Sequence, residues 1–510
     1  MEVTQLTDAG NIDDFFEVSP EKQEIEFYDL QKVGEFYKER NFEPVWNHKE
    51  LRDDLYRNIE NIEEEGLFFE DYHGEKIQAL YNSLDTNTEE ENNQLEILLT
   101  DAFLRLSEDL ATGKLNPKEI YEIWGSPLNE INSIEILNSA ISERDISKAL
   151  NSQKPDHIVY KGLKKALAEY KRTDWRNIEE TRISEGKLIR PGEDDERIPA
   201  ITKRLSELGY YSQRIDSLNF NYNKDIQEAL KDFQKAHDLQ VDGLLGNTTV
   251  KNLNYTKEDR LHQILVNLER WRWHPGDLGE HYIIINIPNY QLSVVKNGDT
   301  IRTHKTVVGT RHRKTPVFSD EIDYIIYNPT WTIPPTIRKR DVIPGVLRDK
   351  EYLSKKNIEI FDRNGDMVDP STIDWNSNEP KLYTYRQPAG VTNPLGTVKI
   401  IYPNKYMIYL HDTPSKNLFK NNARAQSSGC VRVEDAQSLA KYLLNDQEIY
   451  DDEKIEEILH SGETTEISVK QRVRVHHFYW TAYQKKDTTK FIDDIYDLDQ
   501  ELWALLSPET

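Results

Sequence analysis

Cys430 is the only cysteine among 510 residues, and it follows the small, turn-prone triplet Ser427-Ser428-Gly429. His411 lies 19 positions upstream, at the end of a β-rich run. A thiol and an imidazole delivered to one place form a nucleophile–base pair. A free thiol has a pKa of about 8.5, so little of it is thiolate at neutral pH. An imidazole at its side can form an ion pair with it, and the thiolate then attacks a carbonyl while the imidazolium protonates the leaving amine. The backbone amides of Ser428, Gly429 and Cys430 are the expected oxyanion donors, and Gly429 lets the carbonyl approach without a Cβ. The acyl-enzyme can pass to an amine or to water, and these two residues do not choose between them. The competing reading is an inert buried thiol beside an unrelated histidine, so the surroundings decide.

Short strands must position the pair. Residues 282–287, 291–296 and 301–308 read as strands, with Asn297-Gly298 a strong hairpin signal. Residues 321–327 read as another strand. Val398–Tyr402, a Pro403-Asn404 turn and Tyr406–Leu410 predict a hairpin that delivers His411. A helix is expected from Asp435, with Ala436, Leu439, Ala440, Leu443 and Leu444 on one face. The interval from Trp331 to Leu395 breaks the strand rhythm, and an insertion of that size reads as a functional lid. His476-His477 are neighbours on a further predicted strand, so they point to opposite faces and do not suit one ion. Neither a metal nor a cofactor is expected.

The rest of the chain reads as support. Residues from about 26 to 180 carry helical periodicity, as in Leu51, Leu55, Ile59 and Ile62, or Leu95 through Leu110 stopped by Gly113. The Pro/Gly/Asp cluster of residues 187–195 suits a linker. Three short helices come next, the first two marked by Ile198, Ile201 and Leu205 and by Ile226, Ala229, Leu230 and Phe233. A net charge of −25 argues against nucleic acid and anionic membrane as partners. The N-terminal stretch lacks the basic and apolar regions of a signal peptide.

Two sets of motifs carry family resemblances. Leu208-Gly209-Tyr210, Ala229 with Phe233-Gln234, and Val241-Asp242-Gly243 with Gly246 resemble the peptidoglycan-binding-domain-1 family. YLHDTP (409–414) with SSGCVRV (427–433) resembles the L,D-transpeptidase family and its YkuD-type catalytic domain. The stretches 269–294, 315–335 and 393–419, with 36–46 and 101–117, narrow this to the large multidomain YcbB-like class. The wider family has His before Gly-Cys, where this chain has Ser428.

The resemblance implies a multidomain α+β chain. Residues 1–185 would be a helical scaffold and 186–258 a three-helix peptidoglycan-binding-like module. Residues 270–462 would be a mostly antiparallel β-sandwich catalytic domain, with a capping insertion at about 331–395. Residues 463–510 would be a strand/helix extension packing on the other domains. It implies an exported, periplasmic enzyme whose signal has been removed. That enzyme cleaves the L,D bond of a tetrapeptide stem through Cys430 and joins the acyl group to a second stem as a 3→3 cross-link. His411 would be the base, Gly429 and Ser428 the oxyanion turn, and Arg432, Trp331 and Tyr409 the substrate contacts. Expected partners are donor and acceptor stems, carbapenem-type β-lactams as covalent inhibitors, and other cell-wall synthesis proteins. The alternatives are an L,D-carboxypeptidase or cross-link hydrolase, and a non-catalytic wall-binding scaffold.

Overall fold

A computed structural model describes Ile12, Phe16 and residues 27–172, 180–215, 218–237, 239–485 and 488–507. The chain divides into two compact units. One comprises residues 1–122, 126–276 and 480–510, and the other residues 123–125 and 277–479. Among the described residues, no helix is long and apolar enough to cross a membrane.

The first unit is mainly helical. Its longest described helix, Glu89–Thr112, starts at a capping box in which Thr88 and Glu91 satisfy each other's backbone amides. It ends at Gly113. Leu95, Leu98, Leu99, Ala102, Leu106 and Leu110 pack in one core with Val33, Phe36, Leu51, Leu55 and Ile59. A separate small core gathers Ile198, Ile201, Leu205, Ile226, Leu230, Phe233 and Val250. These come from the helices Ile198–Glu207, Lys224–Ala236 and Asn247–Leu253. The helix Lys257–Arg272 is buried on nearly every side. Its Gln263 donates to the carbonyls of Thr481 and Ile492, and Arg270 pairs with Asp499.

The second unit is built on strands β1 (Trp124–Gly125), β2 (His281–Asn286), β3 (Gln291–Lys296), β4 (Asp299–Gly309), β5 (Val317–Glu321) and β6 (Tyr324–Tyr327). The capping interval holds β7 (Trp331–Thr332), β8 (Glu359–Phe361) and β9 (Thr384–Gln387). Next come β10 (Val398–Ile401), β11 (Leu410–His411), β12 (Ala425–Ser427), β13 (Val431–Val433), β14 (Thr465–Ser468) and β15 (Arg474–Phe478). Twelve strands form one sheet in the order β1-β5-β15-β2-β3-β4-β13-β11-β10-β6-β14, with β12 beside β4. Pairing is mostly antiparallel, with four parallel contacts. Both halves of this path contribute to one core: Ile283, Leu292 and Val475 from one half, Ile325, Val398, Ile400 and Val431 from the other. That is how a sandwich buries its inner faces. The helix Ala436–Leu443 adds Ala436, Leu439, Ala440 and Leu443.

Two expectations need correction, the end of the sheet and the strand over 406–410. The sheet does not stop at 462, because β14 pairs with β6 and β15 pairs with both β2 and β5. Strand edges there would otherwise lack partners. The helical and hairpin part of the C-terminus, from Trp480, belongs to the first unit. The strand expected over 406–410 shrinks to Leu410–His411. Met407 has φ of 56°, and the Asn404 side chain accepts from the Tyr406 and Ile408 amides, which coils the chain there.

The interval from Trp331 has its own order: a three-stranded sheet β7-β9-β8 over a small core of Ile333, Val342, Val346, Leu353, Ile360 and Tyr385.

Candidate active site

Strand alternation sets the site. Val431 and Val433 face the core, so Arg432 between them faces away from it, and Cys430, just before the strand, is partly buried at the core's edge; Leu410 faces the core, so Tyr409 and His411 face away. β11 and β13 run parallel side by side, with His411 opposite Arg432. The Val431 amide donates to the Tyr409 carbonyl at 3.2 Å. Cys430, His411, Tyr409 and Arg432 thus share one wall of a cavity of about 260 Å3, and Trp331, Pro334 and Ile337 of the capping interval also line it.

The turn that presents Cys430 wraps the end of β4, since β12 pairs with Val308 and Gly309 on one side and β13 with Thr306 and Val307 on the other. Gly429 takes φ of 121°, a conformation that strains any residue with a Cβ. Hydroxyls fix the turn. Ser427 Oγ donates to the Cys430 carbonyl at 2.6 Å and accepts from the Gly429 amide at 3.1 Å. Thr315 Oγ1 donates to the Gly429 carbonyl at 2.7 Å. The Gly429 amide is therefore committed to Ser427 and is not a free oxyanion donor. The amides of Ser428 and Cys430 have no backbone or side-chain acceptor among the described residues. Ser428 itself accepts, through Oγ, from Arg313 Nη1 at 2.9 Å.

His411 is buried, and its Nδ1–H donates to the Asp412 carbonyl at 2.5 Å. A carbonyl only accepts, so the proton sits on Nδ1 and Nε2 keeps its lone pair. The Asp412 carboxylate is in turn held by the Thr397 amide and hydroxyl, each at 3.0 Å, and by the Lys416 ammonium. Gly396, at φ of 61°, has no room for a Cβ, which would sit against that carboxylate.

Burial lowers the His411 imidazole to about 3, with the Arg432 charge adding to it. Burial also pushes the Cys430 thiol up, opposed by contacts from the Tyr409 amide and hydroxyl and by the charges of Lys399 and Arg432. Both partners therefore rest in their neutral forms, not as the thiolate–imidazolium pair expected from the sequence. Burial penalises the charged form of each.

The Cys430 thiol donates to the Met407 carbonyl, Sγ to O 3.6 Å. The Trp331 indole faces the Tyr409 hydroxyl, and that hydroxyl faces Cys430. Tyr409 is thus a polar neighbour of the thiol as well as a wall, and Trp331 reaches the thiol only through Tyr409. Arg432 Nε is buried without a hydrogen-bond partner among the described residues. His476 and His477 do point apart, His476 to Ser319 and His477 to the Tyr402 hydroxyl.

Sequence reading missed Lys399, Arg313, Asp341, Thr315 and Asp412. Asp412 sits inside the YLHDTP motif. Lys399 could be found only from the register that sets it opposite His411.

Comparison with known proteins adds three regions of family likeness. Residues 280–469 match the L,D-transpeptidase catalytic domain of the YkuD family, 194–253 a peptidoglycan binding domain, and 31–167 a scaffold domain. A Haemophilus influenzae protein provisionally named L,D-transpeptidase is 36% identical over 249 residues, which is 48% of this chain and 50% of that protein. The chain thus spans about half the length of the curated relative it matches. Among solved structures, an L,D-transpeptidase from Xylanimonas cellulosilytica is 14% identical over 58% of this chain and 99% of that one, with a TM-score of 0.18. One from Stackebrandtia nassauensis is 13% identical over 59% and 98%, with a TM-score of 0.22. A likeness in shape that slight carries no weight for function.

Proposed function

We propose that this chain, which carries a YkuD-type L,D-transpeptidase catalytic domain and a peptidoglycan-binding domain, is a periplasmic peptidoglycan L,D-transpeptidase with Cys430 as its nucleophile. The observation that carries this reading is the shared wall: a thiol on a Gly429 turn and an imidazole whose Nδ1 is tied to Asp412, so that Nε2 keeps its lone pair.

The thiol proton passes to His411 Nε2 as Sγ attacks the carbonyl carbon of the third stem residue. The carbonyl π pair moves to oxygen, where the Ser428 and Cys430 amides are the available donors. Collapse breaks the L,D peptide bond, and D-Ala leaves with the proton from His411. The side-chain amine of a second stem then attacks acyl-Cys430 and gives its proton to His411. The 3→3 cross-link forms and the thiol is regained. Arg432, with its unpartnered Nε, suits a substrate carbonyl or carboxylate. Carbapenem-type β-lactams would acylate the same sulfur, because their strained carbonyl offers the same electrophile. Other cell-wall synthesis proteins are proposed partners.

The test is incubation of the protein, and of Cys430→Ala, with disaccharide-tetrapeptide, following products by mass. A Cys430-dependent dimer is expected. A tripeptide without dimer would assign hydrolysis as the second step, and no Cys430-dependent product would overturn the enzyme reading.

A further inference from the structure

Lys399 sits on β10 between Val398 and Ile400, both core residues, so alternation turns its side chain away from the core. Register makes it the cross-strand partner of His411, which is the partner of Arg432. Lys399, His411 and Arg432 therefore form one rung across three adjacent strands. A carboxylate would be the usual partner for a half-buried ammonium. Lys399 has none among the described residues, nor any hydrogen bond. Its Nζ lies 3.9 Å from the centre of the Tyr409 ring, the face of a cation–π contact. The hydroxyl of that same ring faces Cys430. Lys399 is not part of the cavity wall, so it meets the reacting sulfur from behind Tyr409 and leaves the front of the site to substrate.

We propose that Lys399 is a positioning residue for the nucleophile: clamped on the Tyr409 ring, its positive charge stabilises the anion that forms at Cys430. In this arrangement the Sγ proton goes to His411 Nε2, and the electron pair left on sulfur is held against the Lys399 and Arg432 charges until it bonds to the carbonyl carbon. Two cations flanking His411 also disfavour its imidazolium, so the imidazole rests neutral with the Nε2 lone pair free. The charged and titratable groups around Cys430 are Lys399 on β10, Tyr402 just after it, Tyr409 and His411 at β11, Arg432 on β13, and the ion-paired Arg313 and Asp341, which also line the cavity. From the other side of β10, β6 presents Ile326 to Lys399, which is apolar.

The test is the rate of Cys430 alkylation by iodoacetamide as a function of pH, in the full chain and in Lys399→Met, Lys399→Gln and Lys399→Arg. The Met and Gln variants are expected to shift the thiol's titration upward by about one pH unit, a tenfold slower alkylation below the midpoint. The Arg variant should stay within about threefold of the parent, since it keeps the charge. Coinciding profiles for whichever neutral variant folds would overturn the proposal. So would a shift of equal size in Lys399→Arg, which would mark Lys399 as packing. The role rests on Cys430 being the proposed nucleophile, yet alkylation needs no peptidoglycan. A shifted thiol in a protein that makes no cross-link would fail the substrate reading alone, and an unshifted thiol in an active one would fail this proposal alone.

Discussion

Arg313 and Asp341 form an ion pair, 2.8 Å from Nη1 to Oδ2, where the capping interval reaches the Cys430 cavity. The same Nη1 donates to Ser428, two residues before Cys430. One guanidinium from the loop after β4 thus joins the cap to the Cys430 turn.

Breaking that pair should loosen the cap without unfolding the domain. The pair is partly exposed, so it is worth at most about 1 kcal/mol. Asp341→Asn is expected to reduce kcat/KM for cross-linking by up to about fivefold, and added salt should narrow the gap between variant and parent. Steady-state kinetics at low and high salt would check this; a large fall in Tm would contradict it.

His411→Ala should lower the rate of acylation by about 10² to 10⁴, the usual span for a lost general base. The thiol itself should remain open to small alkylating agents, because the turn is held by Ser427 and Thr315 and not by His411. Carbapenem labelling followed by mass, set beside iodoacetamide labelling, would read the two effects separately.

Gly396→Ala should harm both stability and rate. Its positive φ strains alanine, and its Cβ would collide with the Asp412 carboxylate, whose backbone carbonyl holds His411. A cost of about 1–3 kcal/mol is expected for the strain, read as a lower denaturant midpoint, with acylation slowed further than the stability loss explains.

His477 is held near 3 by burial, with its neighbour His476 adding to the effect. In the unfolded chain it would titrate near 6.5. Between those values the unfolded state binds a proton that the folded state does not. Stability from this group is therefore complete above about pH 6.5 and falls as the pH drops toward 3. From pH 7 to pH 5 the loss is about 2 kcal/mol. His477→Gln, which can keep a bond to the Tyr402 hydroxyl, should lose that much less over the same interval in urea unfolding.

The sequence by itself carried the architecture and the chemistry. Periodicity marked the helices and strands, and one cysteine after Ser-Ser-Gly, with a histidine at a strand end, marked a candidate nucleophile and base. These are local signals, written in spacing and residue type. Only the tertiary structure decided which amide of the turn is free, because Ser427 competes for the Gly429 N–H. It also decided that thiol and imidazole rest neutral, since that depends on burial. And it brought Lys399, His411 and Arg432 onto one rung. Cross-strand register sets that rung, and no run of residues along a single strand records which neighbour will lie beside it.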